Sequence, residues 1–489
     1  MSRKVLLIYP KTGIDPPKPH APLAFMDLAD FLLKAGYEPV IVDQRIEKDW
    51  RKEVLKHLND SLCACISCFT GYQIVNAMQT AEFIKKQNPQ TMTILGGTHP
   101  TFFPEQTLAE QQVDCIILGE GEVVLPTVLQ RIENQDTLDG IKGLGFKKNG
   151  QQILNKEFEL VDLTESRTRW DLIDIEKYIR PSYGVDRTVI MVTSRGCPYR
   201  CGFCYNIMFN KKKWRTKKAE IILDEIETLY KEHNVQGVYF VEDFFFTDKR
   251  RVEAICNGLI ERNIKIKWGS TQRADHMARA DPAFLKLLKD SGCSYLTFGI
   301  ESGSQRLLDL MHKDIQVQDA VVAAKKCKDY NITAMFTFMC GIPTETEQEL
   351  RSTIELIDKM RDANPDAWIS GIFQYMAYPG TPLYELAKEH GFKPPQTMEQ
   401  WANYTYFQSS QNLPWITEDK QKYLKLLSYV TRFRFYNKET EKIADSLYRK
   451  VGLFVMRGIS NVRWKLRYFG MPFELSLIDR EYKKQSLAA

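Results

Sequence analysis

Short apolar runs of β character alternate with amphipathic helix-length segments along most of this chain, in two separate blocks. In the first block, Val5-Leu-Leu-Ile-Tyr9, Val40-Ile-Val-Asp43, Cys63-Ala-Cys-Ile-Ser67, Met92-Thr-Ile-Leu95 and Cys115-Ile-Ile-Leu118 read as strands, with helices expected over 23–35, 50–58 and 74–87. Strands that are apolar throughout and alternate with helices imply a parallel sheet covered on both faces. Ligands of such sheets bind beyond the carboxyl ends of the strands. The loops there include Ser67-Cys-Phe-Thr-Gly71, Gly96-Gly-Thr-His-Pro100 and Gly119-Glu-Gly-Glu122. In the second block, strands are expected over 188–193, 237–241, 266–269, 295–300, 334–339 and 371–376. Six β/α units make a partial barrel rather than a closed eight, with functional side chains again at the carboxyl ends.

The expected fold class is therefore α/β. A doubly wound parallel sheet occupies 1–140, and a connector over 141–187 carries the polar hairpin-like turn Lys147-Lys-Asn-Gly-Gln151. A partial (β/α)6 TIM barrel follows over 188–390, then a helical, basic and aromatic region over 391–489. No apolar run approaches the ~18–20 residues that cross a bilayer. Val5–Tyr9 is too short for the h-region of a signal peptide. With 11 cysteines and no such signal, a reducing cytoplasm is the expected compartment. The net charge of +5 gives no reason to expect nucleic acid as partner.

The chemistry concentrates in Ser194-Arg-Gly-Cys-Pro-Tyr-Arg-Cys-Gly-Phe-Cys-Tyr205. Cys197, Cys201 and Cys204 stand at C-x3-C-x2-C spacing, which suits three irons of a [4Fe-4S] cluster and leaves the fourth open to a substrate or cofactor. Gly196, Pro198 and Gly202 keep the segment a tight loop. Structural zinc, the rival metal, usually takes two separated pairs with four ligands. Cys63, Cys65, Cys115 and Cys256 read as core fillers. Cys340 ends a barrel strand, where a thiol facing the lumen could donate a hydrogen atom or a fourth ligand.

A cysteine loop of this spacing directly after an apolar strand resembles the signature of the radical S-adenosylmethionine enzymes. The resemblance implies an open iron that chelates the methionine part of S-adenosylmethionine, and reductive cleavage to a 5′-deoxyadenosyl radical. It also implies cofactor contacts from Phe203 in the loop, Glu242 after the second strand and Arg273 after the third. Further contacts would come from Glu301 and Ser302 within Gly299-Ile-Glu-Ser-Gly303, and from Gly341 opening Gly341-Ile-Pro-Thr-Glu-Thr346. The first block resembles the cobalamin-binding domain often fused in front of such barrels. That likeness nominates Thr70, Gly96, Gly97, His99 and Glu120 as corrin contacts. Paired glycines permit close backbone approach to a bulky ligand. The Asp-x-His-x-x-Gly signature that supplies a cobalt-ligating histidine elsewhere is absent from 1–140.

These likenesses imply three cofactors: a [4Fe-4S] cluster, S-adenosylmethionine and cobalamin. The reaction expected is methylation of an unactivated carbon. Oxidative cyclisation or rearrangement without methyl transfer, as in the anaerobic magnesium-protoporphyrin ester cyclase, is the alternative. A non-catalytic corrinoid sensor and a methylthiotransferase fit less of the pattern. The expected partners are a small-molecule or lipid-like substrate and an external one-electron donor such as flavodoxin or ferredoxin. In the tail, Arg432-Phe-Arg-Phe-Tyr436, Arg449-Lys450 and Arg463-Trp-Lys-Leu-Arg-Tyr-Phe469 interleave basic and aromatic residues. That pattern suits a solvated helical cap or peripheral membrane contact.

Overall fold

The computed structural model describes residues 3–13, 15–404, 413–435 and 447–470. The first sheet contains β1 (Lys4–Tyr9), β2 (Glu38–Asp43), β3 (Ser61–Ser67), β4 (Met92–Gly96), β5 (Cys115–Ile117), β6 (Leu144–Lys148) and β7 (Gln151–Leu154). Its spatial order is β2-β1-β3-β4-β5-β6-β7, with β1 to β5 parallel and β6 and β7 antiparallel. Leu6, Leu7 and Ile8 of β1 are all fully buried, which is the consequence of helices covering both faces. The order reverses between β1 and β3, so the topological switch point of this sheet lies at the carboxyl ends of β1 and β3. The hairpin-like turn of the connector is β6–β7, and it adds to this sheet beyond residue 140.

The second sheet contains β8 (Arg180–Ser182), β9 (Val185–Met191), β12 (Gly237–Phe240), β13 (Lys267–Gln272), β14 (Cys293–Glu301), β15 (Thr333–Cys340) and β16 (Trp368–Gln374). A small ribbon of β10 (Ser194–Arg195) and β11 (Arg215–Thr216) flanks the cysteine loop. Strands β9, β12, β13, β14, β15 and β16 run parallel in that order, which is the expected six-stranded half-barrel, and β8 adds antiparallel at its edge. In the β8–β9 turn Tyr183 stacks on Tyr239 with ring centroids 4.3 Å apart and meets Tyr295 at the same distance. Three aromatic rings thereby fill the amino end of the lumen, leaving the carboxyl end as the way in.

Period-two alternation sorts the side chains of β15. Ala334, Phe336, Phe338 and Cys340 join the outer core under the helices, whereas Met335, Thr337 and Met339 lie on the opposite face. Cys340 is 1% exposed and points away from the lumen, so the expectation of a hydrogen donor or fourth ligand there is corrected. Cys63, Cys65, Cys115 and Cys256 are buried, in line with their reading as core.

One apolar cluster runs without a break from the first sheet to the barrel, joining Leu6, Ile8 and Ala64 to Met311, Tyr375 and Trp401. Behind the barrel, helix Glu418–Arg434 buries Leu424, Leu427 and Val430, and helix Leu447–Leu466 follows. Trp464 and Phe469 of the basic-aromatic run are core, and the Trp464 indole donates to Asp358 over 2.8 Å. Tyr436 and the side chains of Arg449 and Lys450 lie outside the described residues, as do 471–489. Among the described residues no helix is long and apolar enough to cross a membrane.

Candidate active site between the two sheets

The carboxyl ends of β3, β4 and β5 face the first turns of the barrel across a cavity of about 420 Å3. Its walls are mostly apolar, from residues such as Leu28, Ile66, Phe69 and Phe209. Gly96 and Gly97 lie on the wall, and a side chain at Gly96 would meet nothing within 4 Å. Gly97 takes φ +110 and passes so close to Cys68 that a Cβ would stand 2.9 Å from its carbonyl oxygen. A broad apolar macrocycle asks for an apolar wall approached by bare backbone, and this wall fits cobalamin on both counts.

Thr70 and His99, expected beside the corrin, are not on that wall. The two hydrogen-bond each other over 3.1 Å, and the far ring nitrogen of His99 lies 2.8 Å from the Met398 sulfur. Packing against Phe103 and Trp401 leaves His99 fully buried, and burial pushes its pKa down to about 3. It joins the first domain to the helix Met398–Ala402 and is turned away from the cavity.

The residues that flank the cysteine loop, Ser194, Arg195 and Tyr205, belong to the facing wall. Cys197, Cys201 and Cys204 are partly exposed, whereas the other eight cysteines are buried. Burial pushes the Cys197 thiol up to about 11 and Cys204 up to about 12, values that bound iron would overcome by displacing the proton. Among the described residues no group of three or more ligand side chains closes on a single metal ion. A cubane gives each thiolate an iron of its own, so it asks for three thiols spread round one loop, which this loop supplies.

The loop is clamped at both ends. Gly196 (φ +89) presses on the Lys213 carbonyl, which a Cβ would meet at 1.9 Å, and its N–H donates to Asp243 over 2.8 Å. Gly202 donates to Met311 over 2.7 Å and accepts from the Leu383 N–H over 2.9 Å. Glu242 accepts from the Thr193 N–H over 2.6 Å and from the hydroxyls of Thr193 and Ser194. Its side chain is fully buried, so although Glu242 lines the cavity as a residue, its carboxylate anchors the strand leading into the loop.

A second group lies on the barrel side of the loop. Lys313 donates to Glu301 over 2.8 Å and stands 5.5 Å from the Phe203 ring centroid. Burial works against its charge, but Glu301 and Cys201 outweigh that and lift its pKa above the ordinary lysine value. Glu301 holds φ +71, a left-handed conformation that costs a non-glycine residue on the order of 1–3 kcal/mol. Gly299 makes room for the pair, since a Cβ there would stand 2.3 Å from the Glu301 carboxylate. Arg273 stacks on Tyr199 of the loop at 3.7 Å and donates to the Lys313 carbonyl over 2.9 Å.

Phe203, Arg273 and Glu301 are therefore gathered round the cysteines, and desolvated polar groups beside three thiols suit S-adenosylmethionine. Ser302 and Gly341 are not gathered there. The Ser302 hydroxyl meets Thr353 at 3.4 Å in full burial. The Gly341 N–H donates to Glu345 over 2.6 Å and its carbonyl accepts from the Trp415 indole over 3.0 Å.

Glu120 lines the cavity and belongs to a buried ion network. Arg195 donates to Asp27, Glu120 and Glu122 over 3.1, 3.0 and 2.7 Å. Arg215 reaches the other Glu120 oxygen over 2.5 Å. Fully buried Lys217 joins Asp27 and Glu225 at 3.4 and 3.3 Å. Burial pushes the Glu122 and Glu225 carboxyls up, with Arg195 and Lys217 opposing it. Arg195, Asp27, Glu122 and Lys313 were not expected from the sequence. One signal was available: Asp27 interrupts the otherwise apolar run Leu23-Ala-Phe-Met-Asp-Leu28 on a helix that covers a sheet.

The cysteine loop on a parallel half-barrel defines a radical S-adenosylmethionine enzyme. The Radical SAM superfamily model matches residues 191–357, and the B12 binding domain model matches residues 13–129. The chain thus belongs to the radical S-adenosylmethionine enzymes that carry a B12-binding domain in front of the barrel, and a [4Fe-4S] cluster, S-adenosylmethionine and cobalamin are its implied cofactors. It is 29% identical over 393 residues to an uncharacterized methyltransferase of Pyrococcus horikoshii, covering 80% of this chain and 82% of that protein. It is 27% identical over 376 residues to the anaerobic magnesium-protoporphyrin IX monomethyl ester cyclase of Rubrivivax gelatinosus, covering 75% of this chain and 65% of the cyclase. Among solved structures, the cobalamin-dependent S-adenosylmethionine radical enzyme OxsB, with aqua-cobalamin and S-adenosylmethionine bound, superposes with a TM-score of 0.76. The identity is 18%, over 98% of this chain and 75% of OxsB, which is a likeness of fold.

Proposed function

We propose that the protein methylates an unactivated carbon of a small-molecule or lipid-like substrate. One observation carries this reading: the glycine-lined edge of the first sheet and the residues that flank the cysteine loop, Ser194, Arg195 and Tyr205, line the same cavity. When bound, the cluster with S-adenosylmethionine supplies a hydrogen-abstracting radical and the corrin supplies the methyl group. The chain itself positions and excludes. Gly96 and Gly97 leave space for the macrocycle, Glu242 and Asp243 fix the loop, and Lys313 with Glu301 presents a dry polar edge beside Phe203. The methyltransferase name of the Pyrococcus relative agrees with this reading. The cyclase relative keeps radical chemistry without methyl transfer as the second reading.

The test is anaerobic turnover of reconstituted, cobalamin-loaded protein against a substrate panel, with both S-adenosylmethionine products quantified. Methylation requires S-adenosylhomocysteine and 5′-deoxyadenosine to appear together. 5′-Deoxyadenosine alone, from protein shown to hold cobalamin and to consume a substrate, would move the assignment to cyclisation or rearrangement.

Reduction by a flavodoxin- or ferredoxin-type donor in the cytoplasm completes the proposal. For the tail we infer peripheral contact with an anionic lipid surface. Residues 447–470 carry Arg449, Lys450, Arg457, Arg463, Lys465 and Arg467 but no Asp or Glu. The same stretch exposes Phe454, Val455, Val462 and Leu466, with Phe454 80% and Leu466 71% exposed. Cosedimentation with anionic but not neutral vesicles, abolished in Val462→Glu/Leu466→Glu, is the expected result. No cosedimentation in low salt would reject it.

A further inference from the structure

The ion network between the domains has a path into the cluster loop. Arg195 stands two residues before Cys197, and its guanidinium crosses to three carboxylates of the N-terminal domain. Asp27 comes from helix Leu23–Lys34, whereas Glu120 is the cap and Glu122 stands in the first turn of helix Gly121–Glu133. Their side chains are no more than 5% exposed, and Arg195 and all three line the cavity. A second path runs from the same place. Glu120 accepts from Arg215, which also donates to the Asn210 oxygen over 2.5 Å. The Asn210 amide donates to Asp243 over 3.4 Å. Asp243 in turn accepts from the Gly196 N–H over 2.8 Å and from the Tyr205 hydroxyl over 3.2 Å. Gly196 precedes the first cluster cysteine, and Tyr205 follows the last.

Two routes of charged or polar contacts thus join the cavity wall to both ends of the cysteine loop. Buried ion pairs are a poor way to gain stability, because apolar residues of equal volume do as well. Where they do differ is in orientation: removing one partner strands a buried charge, so each arrangement is close to all-or-none. A ligand filling the cavity touches the groups that hold Arg195, and any preference it has among their arrangements passes to the loop. By linkage the effect runs equally in reverse.

We propose that Arg195 is a positioning residue coupling occupancy of the corrin cavity to the geometry of the cluster loop. The proposal rests on the cavity being the corrin site. Cobalamin that binds before the cluster is exercised would then set the loop for S-adenosylmethionine, and a cluster-loaded loop would raise the affinity for cobalamin by the same factor.

Hydrogen–deuterium exchange of residues 194–216 tests this in cluster-loaded full-length protein, with and without cobalamin, while corrin binding is followed by absorbance. In the wild type, exchange should slow about five-fold or more on loading, the lower end of ordinary coupling. Arg195→Gln should still bind cobalamin but lose the slowing, and Arg195→Lys should recover only part of it, since an ammonium cannot serve three carboxylates with a fixed fork. Asp27→Asn, a milder change of equal shape, should shrink the slowing if Arg195→Gln folds poorly. A merely structural Arg195 would raise exchange equally in both states and leave the ratio intact. Cobalamin bound with no change in wild-type exchange, or full slowing in Arg195→Gln, overturns the coupling and leaves the functional reading standing. Failure of the wild type to bind cobalamin at all overturns both.

Discussion

The two edges that face each other across the cavity are made of opposite materials. The first domain presents bare backbone at Gly96 and Gly97 amid apolar side chains, and its carboxylates there, Asp27, Glu120 and Glu122, are all taken up by Arg195. The barrel presents polar side chains that are already engaged, Glu242 with Thr193 and Ser194 and Asp243 with Gly196 and Tyr205, beside apolar Val192, Phe209 and Val241. One edge makes room for a large ligand, and the other holds a short loop in a fixed shape. A carboxylate at Gly96 would obstruct, whereas a glycine in place of Glu242 on the second would release the loop. The same position in a β/α unit, the strand's carboxyl end, thus serves two purposes according to whether it must accommodate or clamp.

If the contrast is right, damage to one edge should weaken the other's cofactor by no more than the coupling factor, not abolish its binding. Cys197→Ala should reduce S-adenosylmethionine cleavage by roughly a thousand-fold or more while cobalamin absorbance in the protein is retained. Loss of cobalamin in that variant would show that the two edges are not separable.

A buried carboxylate at another strand end, that of β15, carries a cost of its own. Glu345 accepts from Gly341 with one oxygen, while the other is buried without a partner, and burial pushes its pKa from the usual 4.5 to about 7. A raised carboxyl favours the folded state only while protonated. The native state should therefore lose stability as pH rises from about 4.5 through about 7. Glu345→Gln, which cannot ionise, should match the wild type at pH 4 and exceed it by up to about 3 kcal/mol at pH 8, read by denaturant unfolding. Equal stability of the two at pH 8 would mean that Glu345 is solvated in solution.

Gly96→Leu should fill the open edge and weaken cobalamin binding on the order of ten-fold, with the iron content unchanged. Unaltered corrin affinity would remove Gly96 from the wall. The smallest effect belongs to Cys340→Ala. It should cost about 1 kcal/mol of stability as a buried side chain and change S-adenosylmethionine cleavage by less than about two-fold. A large loss of cleavage would put its sulfur back in the lumen.

Much of this contrast was legible in the sequence because it is local. All eleven expected strands form, and the cysteine spacing stands in one twelve-residue run that the glycines fold tightly. What escaped depends on contacts distant in the chain. Arg195 and Glu122 are 73 positions apart, and no spacing rule relates them. The direction of a strand-end side chain escaped as well. Cys340 reads as lumenal or outward until the register of β15 against β14 is known, because one residue of slip exchanges the two faces. Thr70 and His99 were nominated by their loops, yet a helix nearly 300 residues away, carrying Met398, claims His99.

The most direct test of a shared cavity is electron paramagnetic resonance of protein loaded with both the reduced cluster and cob(II)alamin. A corrin in the cavity and a cluster in the loop whose flanks, Arg195 and Tyr205, line that cavity must interact, so each signal should broaden relative to protein carrying either alone. Full occupancy of both sites with two unperturbed signals would contradict the account.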